Sequence, residues 1–279
     1  MPDSHGSFVW YELTTTDTAA AKIFYASVFG WDSEITSISD GSYSLFTIAK
    51  VAACGLTELP EHARNCGTLP HWIGYVEVDD VDAAAERTHQ LSGAVHAPPT
   101  DVPNVSRFSI IADPQSATLA LIKGLKPRQD PSVDLDKPGH VGWHELLATD
   151  WAKAFAFYSQ LFDWQKSDYH IGSMGHYQQF SVKGETIGGM FTKPATLPVP
   201  FWLYYFNIAN IEAAAKCVEA GGGRILYGPT AVPSGDIIVH CTDPQGAVFG
   251  LLDRHSRRAV GYFESKTGAP SASRRRWSW

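Results

Sequence analysis

The stretch WYELTTTD at residues 10–17 returns as WHELLATD at residues 143–150, and that recurrence decides how the chain is built. A shift of 133 residues superposes Trp10, Glu12, Leu13, Thr16 and Asp17 on Trp143, Glu145, Leu146, Thr149 and Asp150. The same shift carries Phe24 and Tyr25 onto Phe157 and Tyr158, Phe29 and Trp31 onto Phe162 and Trp164, and Gly55 onto Gly188. Further along, a shift of 130 places Trp72 on Trp202, Tyr75 on Tyr205, and the turn Asp113-Pro114-Gln115 on Asp243-Pro244-Gln245. Matches this dense at nearly constant spacing define an internal repeat. The halves span residues 5–123 and 139–253. Residues 124–138, rich in Pro, Asp and Lys, read as a linker.

Each half contains a coarser repeat. Residues 8–14 alternate as a strand; Asp17 is placed to cap a helix over 19–29, and Gly30 to stop it. Strands over 31–38, 43–50 and 51–57 follow, with Asp40-Gly41 as a hairpin turn between the first two. The order recurs from residue 71: a strand over 71–78, a helix over 81–91 ended by Gly93, and strands near 94–97, 106–112 and 117–122. The second half copies both modules, so the expected fold is α+β, four βαβββ modules in two tandem domains. Residues 254–279 fall outside the repeat, carry six arginines and one lysine, and read as a mobile tail or an intersubunit arm.

Composition narrows the function. With 44% hydrophobic and 18% charged residues the chain has a core to bury. A net charge of −7 gives no overall cationic field, which argues against nucleic acid as a partner. No charged leader followed by an apolar run opens the sequence, and no run of 18 uncharged apolar residues occurs, so no membrane association is expected and the expected compartment is the cytoplasm. Cys54, Cys66, Cys217 and Cys241 form no C-x-x-C pair and read as buried thiols. Phosphate-loop, nucleophile-elbow and dinucleotide-binding motifs are missing, and Gly221-Gly222-Gly223 reads as a helix stop.

W-x-E-L-x-x-T-D before a helix that contains Phe-Tyr and ends near Trp31 or Trp164, together with the Asp-Pro-Gln turns, resembles the vicinal oxygen chelate superfamily. That group includes glyoxalase I, extradiol dioxygenases and bleomycin resistance proteins. The resemblance spans residues 8–253 and implies glyoxalase-like domains whose sheets curl into ligand-holding cups. It also implies metal-ligand positions, and these fall here on Trp10, Ile73 and Ala120 in one half and Trp143, Leu203 and Gly250 in the other. None of these side chains ligates a divalent metal. Metal-free relatives bind drugs or metabolites or assist antibiotic pathways, so the resemblance moves the chain toward them.

Strand alternation puts Trp10, Glu12 and Thr14 on one face and Val9, Tyr11 and Leu13 on the other. The expected ligand-binding residues are therefore Trp10, Glu12 and Tyr75 in the first cup and Trp143, Glu145 and Tyr205 in the second. Aromatic walls with one carboxylate suit a flat aromatic ligand. No cofactor is expected, and the partners are an aromatic small molecule and a biosynthetic enzyme, with the chain a monomer or homodimer. Set against this binding role is an enzyme, a lyase, isomerase, hydroxylase or dioxygenase, with Glu145 or Glu12 as catalytic base. Its metal-dependent form would join Glu145 to His140, His144, His176 and His240, histidines without counterparts in the first half. In a third reading, Trp10 and Trp143 are core and the cups are filled by their own side chains.

Overall fold

The computed structural model describes residues 4–36, 43–124, 137–172 and 175–254. The Asp40-Gly41 turn, nearly all of the 124–138 linker and the tail after Arg254 lie outside them. The first half forms one mixed sheet. Its strands are β1 (Phe8–Thr15), β2 (Asp32–Thr36), β3 (Tyr43–Ile48), β4 (Val51–Glu58), β5 (His71–Glu77), β6 (Ala94–Val102), β7 (Ser106–Ala112) and β8 (Thr118–Gly124), in the order β2-β3-β4-β1-β5-β8-β7-β6. The second half repeats this with β9 (Val141–Ala148), β10 (Gln165–Gly172), β11 (Gly175–Val182), β12 (Glu185–Thr192), β13 (Phe201–Asn207), β14 (Arg224–Ala231), β15 (Ile237–Thr242) and β16 (Val248–Asp253). In each sheet the first strands of the two modules pair antiparallel at the centre, β1 with β5 and β9 with β13.

Helices α1 (Thr18–Phe29), α3 (Val81–Gln90), α4 (Trp151–Phe162) and α5 (Ile211–Ala220) occupy one face of each sheet, and a short α2 (Glu61–Asn65) follows β4. Asp17 caps α1 through the Ala20 amide at 2.9 Å, and Gly30 closes it at φ 71°. The left-handed residue that ends α3 is Ser92, at φ 66°, not Gly93. Gly93 serves another need: a Cβ there would stand 2.6 Å from the Ala112 carbonyl oxygen. β6 runs well past residue 97 and includes Pro98 and Pro99. It tolerates them because it is the edge strand, where a missing N–H breaks no ladder.

The helix-bearing faces of the two sheets share one core. α1 packs on α5 and α3 on α4, each pair joining the two halves. Phe206 of the second half inserts against Trp31 and Trp72, and Phe8 of the first against Trp164 and Trp202. Buried polar groups find partners across this seam. Tyr25 donates to Asp243 at 3.1 Å, and Tyr204 accepts the Gly74 amide at 2.8 Å. The Gln115 side chain both donates to the Asp150 carbonyl at 2.9 Å and accepts its amide at 2.6 Å. Each buried aromatic ring adds roughly 1.5–3 kcal/mol of burial, so the halves are two sheets on a common interior.

Candidate binding face of the second sheet

The opposite face of each sheet has its own small apolar cluster. In the first half Ile73, Tyr75 and Ala120 form it, with Trp10, Phe108, Ile110 and Ile122 partly buried against them. In the second it comprises Leu147, Phe191, Leu203, Tyr205 and Leu252, with Trp143, Tyr177, Leu197, Phe201, Ile238 and Val248 around them. Alternation places these side chains: Tyr11 and Leu13 enter the common core while Trp10 and Glu12 point the other way.

On this face both halves build the same constellation. The Trp143 indole donates to the Tyr177 hydroxyl at 2.9 Å, and Tyr177 donates to Glu145 Oε1 at 3.0 Å. Tyr205 donates to the other carboxylate oxygen, Oε2, at 2.7 Å. In the first half the Trp10 indole donates to Tyr43 at 3.2 Å, and the Tyr43 and Tyr75 phenols lie beside the Glu12 carboxyl. Burial raises the carboxyls of Glu12 and Glu145 above the usual range, and the two phenols on each work against that shift. The Glu145 carboxylate is therefore committed to two tyrosines, which fixes their rings, Tyr205 buried and Tyr177 half-buried.

Small residues let the rings lie on the sheet. A Cβ at Gly189 would fall 2.2 Å from the Tyr177 ring, and one at Gly250 2.3 Å from the Tyr205 ring. Glu12 pairs with Gly55 across the ladder and Glu145 with Gly189, so the structural counterpart of Gly55 is Gly189, not Gly188. One residue is inserted before β11, which also makes Tyr177 the counterpart of Tyr43. Neither tyrosine was singled out from sequence; the signal was a second Tyr at a shift of 134, hidden by the insertion.

The four histidines of the metal alternative do not converge. His144 lies in the common core, stacked on Phe8 at 4.0 Å between ring centroids. Its Nδ1 donates to the Ile187 carbonyl at 2.6 Å, since a carbonyl only accepts, and its Nε2 accepts from Tyr11 at 2.6 Å. Burial pulls it down to about 4. His176 is exposed beside the Tyr169 hydroxyl, and His140 sits in the turn before β9. Among the described residues no three His, Cys, Asp or Glu side chains are grouped to hold a metal ion. The resemblance's ligand positions carry Trp, Ile, Leu, Ala and Gly, so the residues present do not fit that metal. Only His240 reaches the constellation: its Nε2 lies 2.6 Å from the Tyr205 hydroxyl.

The family described as Glyoxalase/Bleomycin resistance protein/Dioxygenase superfamily matches residues 7–121 and again 137–251, and the chain belongs to it. The mycobacterial protein provisionally named glyoxylase CFP32, from Mycobacterium tuberculosis, is 31% identical over 245 residues, covering 87% of this chain and 93% of that protein. Anthracycline biosynthesis protein DnrV of Streptomyces peucetius is 27% identical over 264 residues, covering 89% and 93%. Among solved structures, 2,2',3-trihydroxybiphenyl 1,2-dioxygenase of Sphingomonas wittichii has a TM-score of 0.63 at 15% identity, covering 90% of this chain and 91% of that one. The Mn(II)-bound glyoxalase of Novosphingobium aromaticivorans gives 0.62 at 14%, covering 90% and 83%. At those identities the structural likeness speaks for the fold. No helix among the described residues is long and apolar enough to cross a membrane.

Proposed function

We propose that this protein binds a flat, hydroxylated aromatic metabolite on the open face of the second sheet without using a metal, and sequesters it or presents it to a biosynthetic enzyme. The observation that carries the reading is the Trp143–Tyr177–Glu145–Tyr205 constellation, an aromatic floor locked by a buried carboxylate. Such a floor offers stacking area at little cost in side-chain entropy. Two further facts support it. The residues at the resemblance's metal positions are apolar, and DnrV and DauV, which this chain resembles over most of its length, are by name anthracycline biosynthesis proteins.

The test is a calorimetric titration with alizarin, a planar dihydroxyanthraquinone, and with an anthracycline aglycone. One equivalent per chain is expected to bind. Trp143→Ala should weaken binding at least tenfold, about 1.4 kcal/mol, while Trp10→Ala leaves it within about twofold. Absence of alizarin binding, or equal loss in the two variants, would refute the assignment to the second sheet.

A further inference from the structure

The two open faces share their constellation, but only the second extends beyond it. His240 pairs with Gly250 on β16, and its first-half counterpart is Ile110, paired with Ala120 on β8. Where Tyr75 has an apolar neighbour, Tyr205 has an imidazole. The line runs Glu145 Oε2, Tyr205 hydroxyl, His240 Nε2, with steps of 2.7 and 2.6 Å. His240 Nδ1 has no hydrogen-bond partner among the described residues and is not among the polar atoms sealed from solvent. The Tyr227 ring, 44% exposed, lies 5.3 Å from the imidazole, so this end of the line sits at the rim.

One heavy-atom geometry supports two proton arrangements. In the first, Glu145 is ionised, Tyr205 donates to it, and His240 donates from Nε2 and presents Nδ1 as an acceptor. In the second, Glu145 is protonated and donates to Tyr205, Tyr205 donates to Nε2, and Nδ1 carries the hydrogen. Passing between them requires one proton to arrive at Nδ1 and no movement of heavy atoms.

We propose that His240 Nδ1 receives a phenolic or enolic hydroxyl of the bound molecule, and that Tyr205 relays the proton to Glu145. The ligand O–H breaks as Nδ1–H forms, Nε2–H passes to the Tyr205 oxygen, and the former Tyr205 hydrogen completes the Glu145 carboxylic acid. The negative charge moves from Glu145 to the ligand oxygen, and no oxidant or reductant is involved. This activity, ionisation of an acidic hydroxyl, rests on the binding reading above. The groups around the line are Tyr205, Tyr227 and Tyr177 with Glu145 behind them. Burial holds His240 down to about 4, which keeps the imidazole neutral as a conduit, and it raises Glu145, which suits a proton store.

The visible band of alizarin shifts when its first hydroxyl ionises, so the bound state can be read directly. At a pH where free alizarin is neutral, the wild-type chain is expected to show the ionised band with no net release of protons to the buffer. His240→Ile, which copies the first sheet, should still bind alizarin, by quenching of tryptophan emission, yet show the neutral band; in Glu145→Gln, which also loosens the two tyrosines, whatever alizarin binds should show the neutral band. A neutral band in the wild type, or an ionised band persisting in His240→Ile, overturns the relay while leaving the binding reading intact. Failure of the wild type to bind alizarin overturns both.

Discussion

The seam between the halves contains a histidine that must stay neutral, and this makes stability depend on pH in a calculable way. His144 is 6% exposed, holds its Nδ1 hydrogen on the Ile187 carbonyl and accepts from Tyr11 at Nε2. Burial lowers it from 6.5 to about 4. Above 6.5 neither the folded nor the unfolded chain binds a proton there; below it the unfolded chain takes one that the folded chain refuses. The contribution is therefore complete above 6.5 and is lost as pH falls toward 4. Integrated from pH 7.5 to 4.5 the loss is about 2.5 kcal/mol. Glu12, Glu145, Asp113 and Asp243, whose carboxyls burial raises, act with the opposite sign over part of this range. A comparison with His144→Gln cancels them, since Gln keeps a donor and an acceptor but does not titrate. Urea unfolding of both proteins at pH 7.5 and 4.5 should show the wild type losing about 2.5 kcal/mol more than the variant. Parallel loss in the two proteins would refute the assigned tautomer and the burial that causes the shift.

Three further outcomes follow from the packing. Gly189→Ala and Gly250→Ala each drive a methyl into a tyrosine ring and should cost about 1–3 kcal/mol in urea unfolding and abolish binding on the second face. Gly184→Ala, with open space around it but φ 84°, serves as a control that strains the backbone without touching the rings. Gln115→Ala removes a two-point contact to the Asp150 backbone across the seam and should cost about 1–3 kcal/mol, read by chemical denaturation. Tyr25→Phe leaves Asp243 without its phenol and the Trp72 indole without its acceptor at 3.0 Å, so a similar loss is expected in thermal unfolding.

Much of this fold was legible because it is written twice. The shift of 133 survives in caps and large rings, and the period-two pattern of β1 placed Tyr11 and Trp10 on opposite faces. The same parity, carried over by the 133-residue shift, puts His144 with Tyr11 on the helix side, away from Glu145. What sequence could not supply was cross-strand register. Tyr177 and Glu145 lie 32 residues apart and meet only because β11, β12 and β9 are neighbours in one sheet. The insertion before β11 hid the equivalence of Tyr43 and Tyr177, and with it the reason each glutamate is buried. The sharing of one core by both sheets was equally invisible, since Tyr25–Asp243 and Gly74–Tyr204 depend on how the halves dock. β6 exceeded its expected length because edge position, a property of the sheet, decides whether two prolines are tolerated.

The central claim is that the second sheet's aromatic floor is where a ligand rests, and a crystal structure of the protein grown with alizarin tests it most directly. The account predicts the anthraquinone ring flat against Trp143 and Tyr177, with one hydroxyl at His240 Nδ1 and the first face unchanged. Density for the ring on the first face, at the seam between the halves, or nowhere at saturating concentration would contradict it.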